Sequence, residues 1–152
     1  MKLIAHRGNI NGPNSETENH PNQIIKCIEN GYDVEIDLRY DTKTDTLWLG
    51  HDAPQYMITW WWFAGKADHL WIHCKNIQTL HEFSTKTAHY NYFWHENDDY
   101  TLTSKNYIWS YPGKSYTSNT IVVMPETTDL DFNTLLVYNC YGICTDFVNK
   151  LA

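Results

Sequence analysis

The sequence has few basic residues and no run of them: 11 Lys and Arg stand against 18 Asp and Glu, a formal charge of -7. A chain of that sign repels the phosphate backbone of DNA or RNA, and no cluster of cations reverses the field locally, so nucleic acid is not the expected partner. A small phosphodiester is a different case, because a metal ion or a few local cations outweigh the global field at one point. Cysteine is also scarce. Cys27, Cys74, Cys140 and Cys144 show no paired zinc-ligand spacing and read as reduced, mostly buried thiols. No basic and apolar leader follows Met1 and no apolar run approaches a membrane span, so a cytoplasmic protein without a transmembrane segment is expected. The stretch Trp60-Trp61-Trp62-Phe63 is too short to cross a bilayer and reads as core or pocket wall. Repeats, low-complexity tracts and Pro/Gly/Ser linkers are absent as well, which leaves a single domain over residues 1–152.

What is present is aromatic. With 7 Trp and 11 Tyr, the chain has enough to bury that disorder is excluded and a core needs no disulfides. Alternation and β-branched or aromatic enrichment predict strands at Leu3–His6, Asp33–Arg39, Leu47–Leu49, Leu70–Lys75, Asn91–His95, Tyr107–Tyr111, Thr120–Met124 and Gly142–Thr145. A helix is expected from about Pro21 to Asn30-Gly31, with shorter ones at Met57–Gly65, Ile77–Lys86, Asp98–Ser104 and Asp129–Leu135. Eight strands with interspersed helices predict an α/β fold, a compact (β/α)8 TIM-type barrel. Such barrels run to about 250 residues, so several outer helices must be shortened or missing.

Side chains capable of chemistry recur at the carboxyl ends of these strands: His6-Arg7, Glu35 and Asp37, His51-Asp52, His73 and Lys75, His95-Glu96, and Glu126. A barrel gathers those ends into one mouth. For Glu35 and Asp37, alternation alone favours an ordinary half-exposed strand with a solvated charged face. A single histidine is more often a hydrogen-bonded or surface residue than a catalyst. The repeated placement after strands is what points to a site.

The segments Ile4-Ala5-His6-Arg7-Gly8, Glu18-Asn19, Gly31-Tyr32-Asp33-Val34-Glu35-Ile36-Asp37 and Gly50-His51-Asp52 resemble, in order, the amino-terminal signatures of glycerophosphodiester phosphodiesterases. The likeness continues loosely through Ile72-His73-Cys74-Lys75 to Gly142-Ile143-Cys144-Thr145-Asp146. The resemblance implies an eight-stranded barrel, one divalent metal ion (magnesium or calcium) and a small phosphodiester substrate. It makes His6 and His51 the catalytic pair, Arg7 the phosphate contact, and Glu35 and Asp37 metal ligands. Glu18 matches the glutamate of a Pro-Glu-Asn-Thr motif whose flanking residues here are Thr17 and His20. Lys75 resembles a phosphate-assisting lysine of related barrels, the alternative being a lysine that snorkels at the rim, while His95 and Trp109 share the inward parity of their strands and are candidates to line the pocket, with a core position equally open to Trp109.

The chemistry suits these residue types. A cation plus a guanidinium neutralise an anionic diester. Two imidazoles near their own pKa take a proton from the attacking hydroxyl and give one to the leaving oxygen. The family's behaviour implies attack by a neighbouring substrate hydroxyl. One departure stands out: His73 takes the place of a third acidic metal ligand, and a site of two carboxylates and one imidazole better suits manganese, zinc or iron, so either the metal differs, or another carboxylate such as Glu126 completes the shell, or the site is degraded. The expected function is therefore a metal-dependent phosphodiesterase acting on a small glycerophosphodiester or lysophospholipid-like substrate. The alternatives are a non-catalytic phosphate- or sugar-binding module on the same barrel, and a partner-binding protein whose missing helices are covered by a homo-oligomer.

Overall fold

The computed structural model describes residues 1–87, 89–129, 131–135 and 139–152. Its first strand, β1 (Lys2–His6), buries Ile4 and Ala5 and ends in a turn at Arg7-Gly8. Helix α1 (Pro21–Glu29) opens on a proline, whose missing amide removes no helical hydrogen bond in the first turn. It closes at Asn30, with Gly31 at φ +86°. β2 (Asp33–Asp41) then returns parallel to β1. Its alternation separates two environments: Val34, Ile36 and Leu38 join the main core under the helices, so Asp33, Glu35 and Asp37 point to the opposite, concave face.

β3 (Thr46–Leu49) and β4 (Tyr56–Ile58) follow as an antiparallel extension of β2, then a 3₁₀ turn at Trp60–Phe63. β5 (Leu70–Cys74), α2 (Ile77–Lys86) and β6 (Asn91–Phe93) form the next unit. β7 (Tyr100–Leu102) runs antiparallel to β8 (Ile108–Ser110). β9 (Thr120–Val123), a one-turn α3 (Phe132–Leu135) and β10 (Gly142–Thr145) complete the chain. Parallel neighbours run in the order β6-β5-β2-β1-β10-β9-β8.

This is a curled, mixed, open sheet, and the expected (β/α)8 TIM-type barrel with alternating helices is not what forms. Two features account for the difference. The predicted third strand is joined to β2 by four residues, Thr42 to Asp45, whereas a parallel crossover needs a dozen or more, so the segment can only fold back antiparallel. Residues 98–104, expected to be helical, instead supply β7, and 57–65 supply the end of β4 and the 3₁₀ turn. β6 and the β7–β8 hairpin, at the two ends of the parallel order, share no ladder among the described residues. They approach through the amide of Ser104, in the turn of that hairpin, which donates to the Tyr92 carbonyl at 2.8 Å, and through Phe93 and Trp109, whose rings lie 4.5 Å apart. The concave side is filled at mid-height by Ile4, Phe93, Trp109, Ile121, Val123 and Cys144. No helix among the described residues is long and apolar enough to cross a membrane.

Candidate active site

Above that apolar layer, at the carboxyl ends of the parallel strands, lies a cavity of about 380 Å³ bordered by His6, Arg7, Glu35, Asp37, His51 and His73. Lys75, His95 and Trp109 border it too. Glu35 and Asp37 are 2% and 0% exposed, so their strand is not a solvated charged face. Taking two carboxylates out of water costs several kcal/mol each unless partners compensate, and the partners decide what the site can do.

Each member of the trio Glu35, Asp37 and His73 has one atom tied to its surroundings and one atom facing the other two members. Asp37 Oδ2 accepts from Asn19 Nδ2 at 2.9 Å and lies 3.3 Å from Arg7 Nε, while Asn19 Oδ1 accepts from the Asp37 amide at 2.9 Å. Asp37 Oδ1, shielded from solvent, accepts no hydrogen bond. Glu35 Oε2 accepts from the Arg7 amide at 3.2 Å. His73 Nε2 donates to the His95 carbonyl at 2.8 Å, and the ring stacks on Phe93 at 5.0 Å and 17°. That leaves His73 Nδ1 3.3 Å from Asp37 Oδ1 and 3.6 Å from Glu35 Oε1. One ligand atom from each residue lies within 4.8 Å of the others, a fit for a divalent cation.

The electrostatics are strongly coupled. Burial alone would raise the Asp37 carboxyl, but His73, Arg7 and Asn19 hold it well below the usual carboxylate range. Burial opposes charge on His73, yet Asp37 and Glu35 outweigh it and push the imidazole up to about 9. A cation held by the trio would have to displace that proton.

His6 and His51 are held differently. His6 is buried and its Nδ1 donates to Asp146 Oδ1 at 2.8 Å, leaving Nε2 for the cavity. Asp146 is fixed in turn by Asn9 Nδ2 at 2.8 Å and by its own amide on Glu126 Oε1 at 2.7 Å. Burial works against a charged His6, but the Asp146 hydrogen bond and Glu35 raise its pKa above the ordinary value. Burial likewise opposes ionisation of Asp146, and His6 with Asn9 and Arg7 lower its pKa nonetheless. His51 is half-buried, its Nδ1 2.7 Å from the exposed Asp52. Its loop is pinned to β2 by Arg39, which donates to the Gly50 and His51 carbonyls, and by the Gly50 amide on the Asp37 carbonyl at 3.0 Å. Arg7, Asn19 and Met124 all adopt left-handed backbone at φ +53°, +57° and +44°. Such conformations cost about 1–3 kcal/mol each for non-glycine residues and concentrate at functional sites.

Not every predicted residue reaches the cavity. Glu18 accepts from Arg7 NH1 at 3.3 Å and Asn9 Nδ2 at 3.1 Å, so it orients the guanidinium and does not border the space. Trp109, 4% exposed, belongs to the apolar layer and forms the cavity floor. Lys75 Nζ stands 3.9 Å from Asp37 Oδ1. His95 Nε2 donates to the Asp98 carbonyl, and Glu126 serves the Asp146 amide outside the trio. Sequence reasoning assigned no role to Asp146, Asn9 or Asn19. Asp146 follows β10 directly, so the strand-end rule that selected the histidines also pointed to it. A second, largely apolar groove on Tyr100, Leu102, Ile108 and Tyr116 offers no carboxylate, imidazole or amine. The chain matches no family model, no curated protein and no solved structure.

Proposed function

We propose that this protein is a metal-dependent phosphodiesterase that cleaves a small glycerophosphodiester or lysophospholipid-like substrate by two-histidine acid–base catalysis. The observation that carries the reading is that His6, Arg7, His51 and Lys75 border the same cavity as the Glu35, Asp37 and His73 trio. The ordered likeness of the strand-end segments to glycerophosphodiester phosphodiesterases supports it.

Arg7, oriented by Glu18 and Asp37, and Lys75 bind the anionic phosphoryl oxygens. Glu35, Asp37 and His73 would hold a divalent cation, which when bound would supply further charge stabilisation at phosphorus. One imidazole of the His6 and His51 pair accepts the proton of the attacking hydroxyl as the new P–O bond forms. The other donates a proton to the leaving oxygen as the old bond breaks. Asp146 holds His6 in one ring orientation and favours its charged form.

The test is hydrolysis of glycerophosphocholine and of a lysophospholipid by purified protein, with and without chelator. Turnover is expected only with divalent metal, and His6→Ala and His51→Ala are each expected to lower kcat by about 10²–10⁴-fold with an unchanged circular dichroism spectrum. Full turnover in excess chelator, or retained turnover in both variants, overturns the proposal. Calorimetric ligand binding without turnover or metal uptake would favour a binding module instead.

A further inference from the structure

We infer that Glu35, Asp37 and His73 form a site for a divalent transition metal such as manganese, iron, cobalt or zinc, that it discriminates against magnesium and calcium, and that His73 is the discriminating ligand. The inference rests on the metal-assisted reading above and names the ion that the reading leaves open.

The first observation is a buried carboxylate oxygen held by ionic contacts alone. Asp37 is fully buried, and Oδ1 meets no hydrogen bond of good geometry but lies 3.3 Å from His73 Nδ1 and 3.9 Å from Lys75 Nζ, so a cation taken up beside His73 would satisfy this oxygen in place of the imidazole proton. The second is the division of labour within each side chain. Asn19 and Arg7 occupy Asp37 Oδ2, the Arg7 amide occupies Glu35 Oε2, and the His95 carbonyl occupies His73 Nε2. The three remaining atoms converge within 4.8 Å. An imidazole that donates one ring N–H to a backbone carbonyl and presents the other nitrogen to carboxylates has the outer-shell support of a metal-bound histidine. Stacking on Phe93 fixes the ring plane as well.

The choice of ion follows from charge and ligand type. Two carboxylates and a neutral imidazole bring a charge of −2, where three carboxylates would bring −3. Arg7 Nε at 3.3 Å and Lys75 Nζ at 3.9 Å from Asp37 oxygens weaken the field further. Magnesium and calcium are held by oxygen ligands almost purely through that field, so they lose most. A transition ion regains the difference through its bond to imidazole nitrogen.

The measurement is metal binding to chelator-stripped protein, read without substrate. Calorimetry is expected to give manganese an affinity more than about tenfold above magnesium. Cobalt-loaded wild-type protein should show one exchangeable, paramagnetically shifted imidazole N–H in its proton NMR spectrum, that of His73 Nε2 on the His95 carbonyl. His73→Asp should lose that resonance and gain magnesium affinity by about tenfold. Equal magnesium and manganese affinity in the wild type, or cobalt binding without the shifted N–H, overturns the inference even if phosphodiester turnover is found. Manganese and cobalt binding as described, with no turnover of any glycerophosphodiester, upholds it and defeats the phosphodiesterase reading instead.

Discussion

Asp146 lies beyond the end of β10 and touches the proposed acid–base pair only through His6, 140 positions away along the chain. Replacing it by asparagine keeps an oxygen for the Nδ1–H and removes the charge that raises the His6 pKa. The His6 limb of the pH–rate profile is therefore expected to move to lower pH in Asp146→Asn, whether His6 serves as acid or as base. kcat/KM should fall by about 10–100-fold, part of a general acid–base contribution of 10²–10⁴. An unmoved limb would remove Asp146 from this positioning role. The same pair has a stability signature. The raised His6 pKa contributes stability in full below the ordinary value of 6.5 and loses it as pH rises through the folded value. The lowered Asp146 pKa contributes above the ordinary 3.8 and loses it as pH falls through the folded value. The stability difference between wild type and Asp146→Asn should thus be largest between about pH 4 and 6.5, as urea melts across pH would report. At this scale the sequence was informative where a side chain faces the cavity, because strand parity and strand ends place His6, Glu35, Asp37, His73 and Lys75, whereas His51 reaches it because antiparallel β3 folds back until Leu49 pairs with Leu38. It was silent on Asn9, Asn19 and the role of Asp146, which are set by through-space contacts between distant segments.

The β3–β4 hairpin is the element that delivers His51, and its geometry depends on Gly50. That residue sits at φ +148°, and a Cβ there would lie 2.1 Å from the Ala53 carbonyl oxygen. Gly50→Ala must therefore displace the loop that carries His51, and a shift of about 1 Å in a reacting group is worth about 10²-fold in rate. Gly31, at φ +86° with open space around it, is the control: Gly31→Ala should cost about 1–2 kcal/mol of stability for the left-handed backbone and leave kcat/KM unchanged. Equal kinetics in the two variants would show that the His51 loop tolerates movement. The hairpin also marks where the fold was legible. Helix α2 occupies the predicted Ile77–Lys86, since its apolar spacing and the Asn76 cap, which accepts from the Thr79 amide at 3.0 Å, are local. The short turn before Thr46 already ruled out a parallel crossover. β7 was hidden for a different reason: its strand state is conferred by pairing Thr101 with Trp109 of β8, and strand formation follows the partner more than the segment's own propensity.

At the scale of the whole molecule, two fields of opposite sign meet at the cavity. The chain carries a formal charge of -7, which would repel the proposed anionic diester at distance, while Arg7 and Lys75, which border the cavity, would attract it at contact. Their ranges differ. The global repulsion extends over a Debye length of about 30 Å at 0.01 M salt and shrinks to about 8 Å at 0.15 M, whereas contacts in a recessed cavity are screened far less. Raising ionic strength over that interval should therefore increase kcat/KM for a glycerophosphodiester, the reverse of an enzyme that steers its anionic substrate from afar. The same argument separates small from polymeric substrates, since a nucleic acid meets the repulsion along its whole length and gains only one cavity's worth of contact. Steady-state kinetics across salt, with manganese held saturating, decides the matter. A kcat/KM that falls steeply from 0.01 M upward would mean that the local cations dominate the approach, and that net charge was the wrong guide to what this cavity admits.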